Sequence, residues 1–428
     1  MKPHIKKIKV AFFDIILYHG GFGTDRGVRI ETQFDGELDI DILMQAFNKA
    51  IELVPVLKCK FVVGRFYYHW EVIQNFDIRD YFTITNDHDK AENFLLESID
   101  CEKCPQIKVM VYRNNGKDNM RLIVTHLCFD GTALLNFNTL VSQYYSGLKQ
   151  DENFVIKNFN HNYSRDLWPL FKNFPIKQRL NFLFSKPKHP AFNINKCFFH
   201  DNPSVERKKV FIKRTIDEEV YLKLKNKSKE LGVKINDVFF ASFFRVLFDI
   251  SIIDVSSLSV SCSVNLRNYM KNKEKVGFSN MVSHFLLTVD KVEGESFEET
   301  LSRVSKEILI TKNEKSFMFG MEFLRFGPFM LRMPFLRGMV LKYIKGYSLS
   351  GISNVGVLIK DDFIFKGLNV TDMFFAASLR YVPQSFFCLC TYNDHVNISS
   401  LLVGTEKEIE NEKRNIDMFI SNIKNFVE

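Results

Sequence analysis

The chain has 428 residues, 46% hydrophobic and 25% charged, which is ordinary globular usage and excludes a disordered or low-complexity polypeptide. Its 58 basic and 50 acidic residues give a formal charge of +8 with no long basic block and no accompanying motif, so nucleic-acid binding is not expected. The length exceeds what one core usually serves, and two domains are expected. Eight cysteines without regular spacing argue against a disulfide framework and for a reduced, cytoplasmic protein. The 44 phenylalanines suit a large apolar interior, although a general bias toward aromatic, lysine and asparagine residues explains them as well.

The N-terminal run Met1-Lys2-Pro3-His4-Ile5-Lys6-Lys7 leads into a segment interrupted by Asp14, which does not read as a signal peptide. Asp39 or Asp41 is the candidate N-cap of a helix carrying Leu43, Phe47, Ala50 and Ile51. Cys101 and Cys104 form a C-x-x-C pair, but zinc needs a second pair or spaced histidines, so no metal site is assigned. Met120-Arg121-Leu122-Ile123-Val124-Thr125 reads as a strand, and period-2 alternation puts Leu122, Val124 and His126 on one face. A helix is expected to follow, with Leu134, Phe137, Val141 and Tyr144 at helical spacing and Gly147 as its C-terminal stop.

Residues of roughly 150 to 208, which include Pro175, Pro187, Pro190 and Pro203, read as a crossover between domains. A strand then begins at Lys209-Val210-Phe211-Ile212. Asp217 caps the next helix, with Glu218 and Glu219 placed where the helix dipole favours negative charge, and Gly232 ends it. Val238 to Leu247 is apolar on nearly every side and predicts a buried helix. From Phe317 to Tyr347, bulky apolar residues alternate with Arg325, Arg332, Arg337, Lys342 and Lys345. Spanning a bilayer would bury arginines at about 2.5–3.5 kcal/mol each, so helices packed on the second domain are expected in preference to membrane contact.

Where the strand at 120–125 gives way to a helix, His126 and Asp130 stand four residues apart, followed by Gly131. An imidazole with an unperturbed pKa of about 6.5 accepts and returns a proton near neutral pH. Position alone makes Asp130 a helix cap, and Gly131 a tight turn that gives access to backbone amides near the base. Cys128 is expected to be a small buried hydrophobe and not a nucleophile.

This His-x-x-x-Asp-Gly string resembles the active-site motif of the chloramphenicol acetyltransferase-like superfamily, which includes condensation domains of nonribosomal peptide synthetases, plant-type acyl-CoA acyltransferases and alcohol acetyltransferases. Further landmarks follow in the family's order: Leu43 to Phe47 leading to Val54-Pro55-Val56-Leu57, Gly232 to Val238, Asn265-Leu266-Arg267, Val276-Gly277-Phe278-Ser279-Asn280, and Ser353-Asn354-Val355-Gly356. The resemblance implies an α/β (mixed α+β) fold of two chloramphenicol acetyltransferase-like domains arranged as a V, with the active-site channel between them. The expected division is an N-terminal domain at 1–170 carrying the motif, a crossover linker at 171–208 and a C-terminal domain at 209–428.

By the same resemblance the protein is an acyltransferase with His126 as general base. It moves an acyl group from a thioester donor to an alcohol or amine. Asp130 would point away from substrate and form a structural ion pair with Arg267, while Ser353 and Asn354 would supply oxyanion or substrate contacts, although a plain polar loop explains those two equally well. Thr125 departs from the pattern, because many members carry a second histidine there. No cofactor is bound permanently. The donor would be acyl-CoA, favoured because no carrier domain is attached, or an acyl-pantetheine thioester on an acyl carrier protein acting as partner. The competing class is a protein that keeps the fold and binds the thioester without turnover.

Overall fold

The computed structural model describes residues 6–20, 25–64, 67–157, 159, 165, 170, 172–184, 197–270, 278–318, 333 and 350–428. In chain order the first half comprises β1 (Lys7–Lys9), α1 (Phe12–Gly20), β2 (Gly27–Phe34), α2 (Ile40–Leu53), β3 (Cys59–Val63), β4 (Tyr68–Val72), β5 (Phe82–Thr85), α3 (His88–Phe94), β6 (Ile107–Asn114), β7 (Lys117–Thr125), α4 (Gly131–Leu148) and α5 (Ile176–Phe184). The second half comprises β8 (Lys208–Ile216), α6 (Glu218–Glu230), α7 (Ile235–Asp249), β9 (Ser257–Asn265), β10 (Val282–Asp290), α8 (Phe297–Glu314), β11 (Gly351–Val357), β12 (Val370–Ala376), β13 (Arg380–Tyr381), β14 (Phe386–Tyr392), β15 (His395–Gly404) and α9 (Glu406–Val427).

The first lobe is built on a five-stranded sheet of order β12-β2-β7-β6-β5. Asn115 and Gly116, both at positive φ, turn β6 into β7, as the tight turn of a right-twisted hairpin requires. Asp39 caps α2 through the amide of Ile42, and the helix buries Leu43, Phe47, Ala50 and Ile51 as their spacing predicts. Those side chains meet Phe137, Val141 and Tyr144 of α4 in one apolar core. Gly147 does not stop α4. The helix continues to Leu148, and a Cβ at 147 would fall 2.2 Å from the Phe154 ring, so the glycine is there to admit an aromatic side chain.

The second lobe's sheet has the order β10-β9-β11-β14-β15-β13, with β8 also beside β15. Asp217 caps α6 through the amide of Val220, and Gly232 beyond the helix has φ +66°. Phe239, Phe243 and Leu247 of α7 share a core with Leu258 and Val260 of β9, Phe387 and Leu389 of β14, and Phe419 and Ile423 of α9. Helices thus cover one face of this sheet. The other face turns to the first lobe: Cys388 and Cys390 join the first core, Ser399 donates to the Phe375 carbonyl at 2.5 Å, and Asn397 donates to the Met373 carbonyl at 2.9 Å.

Both carbonyls belong to β12, which pairs with β2. The expected division at 209 is therefore crossed by one strand, since a segment of the second half completes the sheet of the first. Of the arginine-rich segment 317–347, only Phe317, Met318 and Met333 are among the described residues. No described helix is long and apolar enough to cross a membrane.

Parallel strands β9 and β11 pair only at Ser261–Gly351 and Cys262–Ile352 and then separate. Helix α4 begins at this opening, where Asn265 donates to the Thr132 hydroxyl at 3.1 Å and Val355 lies beside Gly131. The close approach needs a glycine, because a Cβ at 351 would lie 2.3 Å from the Ser261 carbonyl oxygen. Gly351→Ala is expected to destabilise the protein by about 1–3 kcal/mol, read as a lower urea midpoint at unchanged slope. An unchanged midpoint would mean that the strands are not held this close.

Candidate active site

Strand β7 ends at Thr125, which pairs with Gly27, and the next amide, that of His126, donates to the Arg26 carbonyl. The loop after it is anchored by Leu127, Cys128 and Phe129, all fully buried, while His126 alone keeps accessible surface. Its ring is fixed by one decisive contact, Nδ1 to the Phe129 carbonyl oxygen at 2.7 Å. A carbonyl only accepts, so Nδ1 carries the hydrogen and the Nε2 lone pair is free. Asn280 donates to the His126 carbonyl at 2.9 Å and receives the Val282 amide on its own oxygen, which fixes its amide orientation; its 3.0 Å approach to Nδ1 is then a packing contact. Burial, reinforced by the positive charge of Arg380, pushes the His126 pKa below its ordinary value against the opposing pull of Asp130. The ring is a neutral base at neutral pH.

Asp130 does both things proposed for it. One carboxylate oxygen caps α4 through the Ala133 amide at 2.8 Å, while the other accepts from Arg267 Nη1 at 2.7 Å and from the Met281 amide at 2.7 Å. Arg267 also donates through Nη2 to the Ser279 carbonyl at 2.6 Å. Asp130 is completely buried and both its oxygens are engaged by Ala133, Arg267 and Met281, so it holds the loop in shape.

A second arginine does similar work and has no counterpart in the motif. Arg165 donates to the carbonyls of Cys128 and Phe278, each at 3.0 Å, and pairs with the buried carboxylate of Asp14, which also receives the Trp70 indole at 2.7 Å. It thereby ties the histidine loop to α1 and to the segment before β10. Asn280 and Arg165 are the supports that sequence reasoning left out of the site. Asn280 was visible as part of the glycine-asparagine element, whose Val276 and Gly277 lie outside the described residues; nothing around Arg165 marked it.

Thr125, the departure from the motif, has a partner of its own. Its hydroxyl donates to Gln106 Oε1 at 2.6 Å, and the Gln106 amide donates to the carbonyls of Cys59, Cys101 and Cys104 at 2.8–3.1 Å. The C-x-x-C pair thus meets the site through its backbone. Burial pushes the Cys101 thiol up to about 11 and the Cys128 thiol up to about 12, so neither offers a thiolate.

Gly131 has no left-handed backbone conformation, and a Cβ there would meet Val355 at an ordinary 3.6 Å, so the tight turn expected of it is absent. Ser353 lies on the face of β11 turned toward the first lobe, and its hydroxyl has no hydrogen-bond partner among the described residues. Asn354 is exposed and engaged elsewhere: its amide donates to Asn236 at 3.3 Å and its oxygen accepts from the Gly356 amide at 2.9 Å. It is therefore not aimed at an oxyanion. The structure brings together His126, Asp130, Gly131 and Arg267, with Val355 of the Ser353 strand beside Gly131 and Asn354 turned aside.

No family model matches this chain, and no curated relative matches it in sequence. Solved structures do match in fold. The first condensation domain of the calcium-dependent antibiotic synthetase superposes with a TM-score of 0.71 at 13% identity over 98% of this chain and 96% of that one. The condensation domain of the monacolin K polyketide synthase MokA gives 0.66 at 11% identity over 99% and 97%. TRI3 trichothecene 15-O-acetyltransferase from Fusarium sporotrichioides gives 0.66 at 11% identity over 97% and 95%. The protein has the two-lobed chloramphenicol acetyltransferase-like fold.

Removing one partner of the Asp130–Arg267 pair leaves the other buried and uncompensated, so Asp130→Ala and Arg267→Ala should each lower stability by about 3–5 kcal/mol in denaturant titrations. Their double variant should lose clearly less than the sum, because both changes delete the same contact. Additive losses would show that the two groups do not act as a pair.

Proposed function

We propose that this chain, with the fold of the condensation and acetyltransferase structures, is an acyltransferase that moves an acyl group from a thioester to an alcohol or amine, with His126 as general base. The observation that carries the reading is the free Nε2 of a ring whose Nδ1 is held on the Phe129 carbonyl. Nε2 accepts the acceptor's proton while its oxygen or nitrogen attacks the thioester carbonyl, giving a tetrahedral oxyanion. The carbon–sulfur bond then breaks, and the imidazolium returns that proton to the departing thiolate, so a free thiol leaves. Assistance of this kind is worth about 10²–10⁴-fold. The Ser353 hydroxyl is the candidate donor to the oxyanion; a preorganised donor there contributes about 2.7–4 kcal/mol.

Acyl-CoA is the favoured donor. Whole-length likeness to condensation domains supports a second reading, in which an acyl carrier protein delivers the thioester. A panel of acyl-CoAs and acyl-pantetheines with small alcohols and amines, read by thiol release and product mass, tests both. Thioester binding without any thiol release would make the protein a binder.

His126→Ala is expected to abolish transfer while leaving the circular dichroism spectrum and melting temperature near those of the parent; retained transfer removes the proposed base. The depressed His126 pKa sets the pH profile. Because burial favours the neutral ring, kcat/KM should be flat above about pH 6.5 and fall with a single proton only below that value. An acid limb centred above pH 7 contradicts the assignment.

A further inference from the structure

Beside His126 lies a positive charge that the reaction as derived does not use. The segment Asp25-Arg26-Gly27 separates the two: Arg26 takes the His126 amide on its carbonyl, while Gly27 receives the Ser378 hydroxyl at 3.0 Å and Asp25 receives the Leu379 amide at 2.8 Å. The next residue is Arg380. Its Nε and Nη1 are buried, and neither has a hydrogen-bond partner among the described residues. The nearby carboxylate of Asp25 is already held by Arg29 and by the Leu379 amide. Buried guanidinium nitrogens without hydrogen-bond partners are expensive to keep, and natural structures rarely leave them without a purpose. Burial brings its pKa down to about 10.

What surrounds Arg380 fits a ligand. Its guanidinium stacks on the Phe386 ring at 4.7 Å, which fixes the plane of the fork. Phe386 is paired with Gly351, and Gly351 with Ser261, so these positions form one row on the sheet face turned to the first lobe, and the glycine leaves a notch in it. Ser261 and Ser263 bring their hydroxyls within 3.2 and 3.4 Å of His284 Nδ1. These two contacts hold the ring in place from one side. Desolvation and the charge of Arg380 both favour the neutral form of this ring, and its side chain is exposed. His284 thus places a neutral ring on the sheet face turned to the first lobe, and Arg380 lies with its charge over Phe386 of the same face.

We propose that Arg380, oriented by Phe386 and assisted by His284, forms an anion subsite that holds a carboxylate carried by one of the two substrates beside the reacting centre. The proposal rests on the acyl-transfer reading only in calling the ligand a substrate; the subsite itself requires no turnover. A planar guanidinium fork matches a carboxylate through paired hydrogen bonds, and desolvation strengthens each of them. An uncharged amide of the same shape lacks that complement.

Hexanoate and hexanamide are probes of equal size that differ in charge, and their affinities are measured by calorimetry on the whole chain. Hexanoate should bind at least about tenfold more tightly than hexanamide. Arg380→Gln should abolish the preference, Arg380→Lys should restore part of it, and His126→Ala should leave it intact. If the parent protein prefers hexanoate through Arg380 while it turns over no thioester and acceptor pair, the acyl-transfer reading fails and the subsite stands. Because Arg380 Nε and Nη1 have no hydrogen-bond partner among the described residues, Arg380→Met should leave the melting temperature unchanged or raise it. Equal affinity for acid and amide, a preference that survives Arg380→Gln, or a large fall in melting temperature for Arg380→Met would each overturn the proposal. So would an Arg380-dependent site that binds inorganic phosphate and not hexanoate, which would assign the charge to a phosphate of the thioester donor.

Discussion

The Asp130 carboxylate joins three segments that the chain brings together from far apart. One oxygen starts α4, and the other holds Arg267 and the Met281 amide. A charge buried to this depth is tolerated only when every lone pair is answered, and the answers come from both lobes. The loop carrying His126 is consequently fixed at both ends, by the strand pairing before it and by the capped helix after it. Proton transfer depends on placing Nε2 to within a fraction of an ångström, which a loop held by packing alone would not provide.

Arg165 extends the same logic. It bonds the backbone of the histidine loop at Cys128 and of the opposing segment at Phe278 while neutralising the buried Asp14. Two arginines thus brace the loop from different directions, each using one carboxylate and neighbouring carbonyls. Thr125 belongs to this bracing. Where a histidine would require a partner of its own, the threonine hydroxyl completes the knot around Gln106. The departure from the motif therefore changes what packs behind the loop, while the ring of His126 keeps its free nitrogen.

The second lobe contributes the opposite wall through the two faces of one sheet. Leu258, Val260, Phe387 and Leu389 face the helices, and the alternate positions Ser261, Ser263, His284 and Phe386 face the first lobe. Period-2 alternation makes this possible, because a strand can be hydrophobic on one side and functional on the other. Separation of β9 from β11 after Ile352 opens the sheet where α4 begins, just after the loop that carries His126. Two arginines of this half differ: Arg267 is held by Asp130 and the Ser279 carbonyl, while Arg380 Nε and Nη1 have no hydrogen-bond partner among the described residues.

Much of this was legible in the order of residues. The strand leading to His126, the caps at Asp39 and Asp217, the buried helix around Phe239 and Phe243, and the motif with its second-half landmarks all rest on spacings of a few residues, which backbone periodicity and capping chemistry read directly. Gly147 shows where local rules stop: glycine reads as a helix end, but here the Phe154 ring requires it. The whole chain determines the rest. Arg267 meets Asp130 across 137 positions, and Arg165 and Asn280 reach the histidine loop across 37 and 154. A strand of the second half finishes the first sheet, Asn354 turns away from the centre, and Arg380 Nε and Nη1 have no hydrogen-bond partner among the described residues. Such pairings follow from which surfaces meet when two cores close on each other, and no local spacing encodes a contact whose members are brought together only by burying the apolar faces between them.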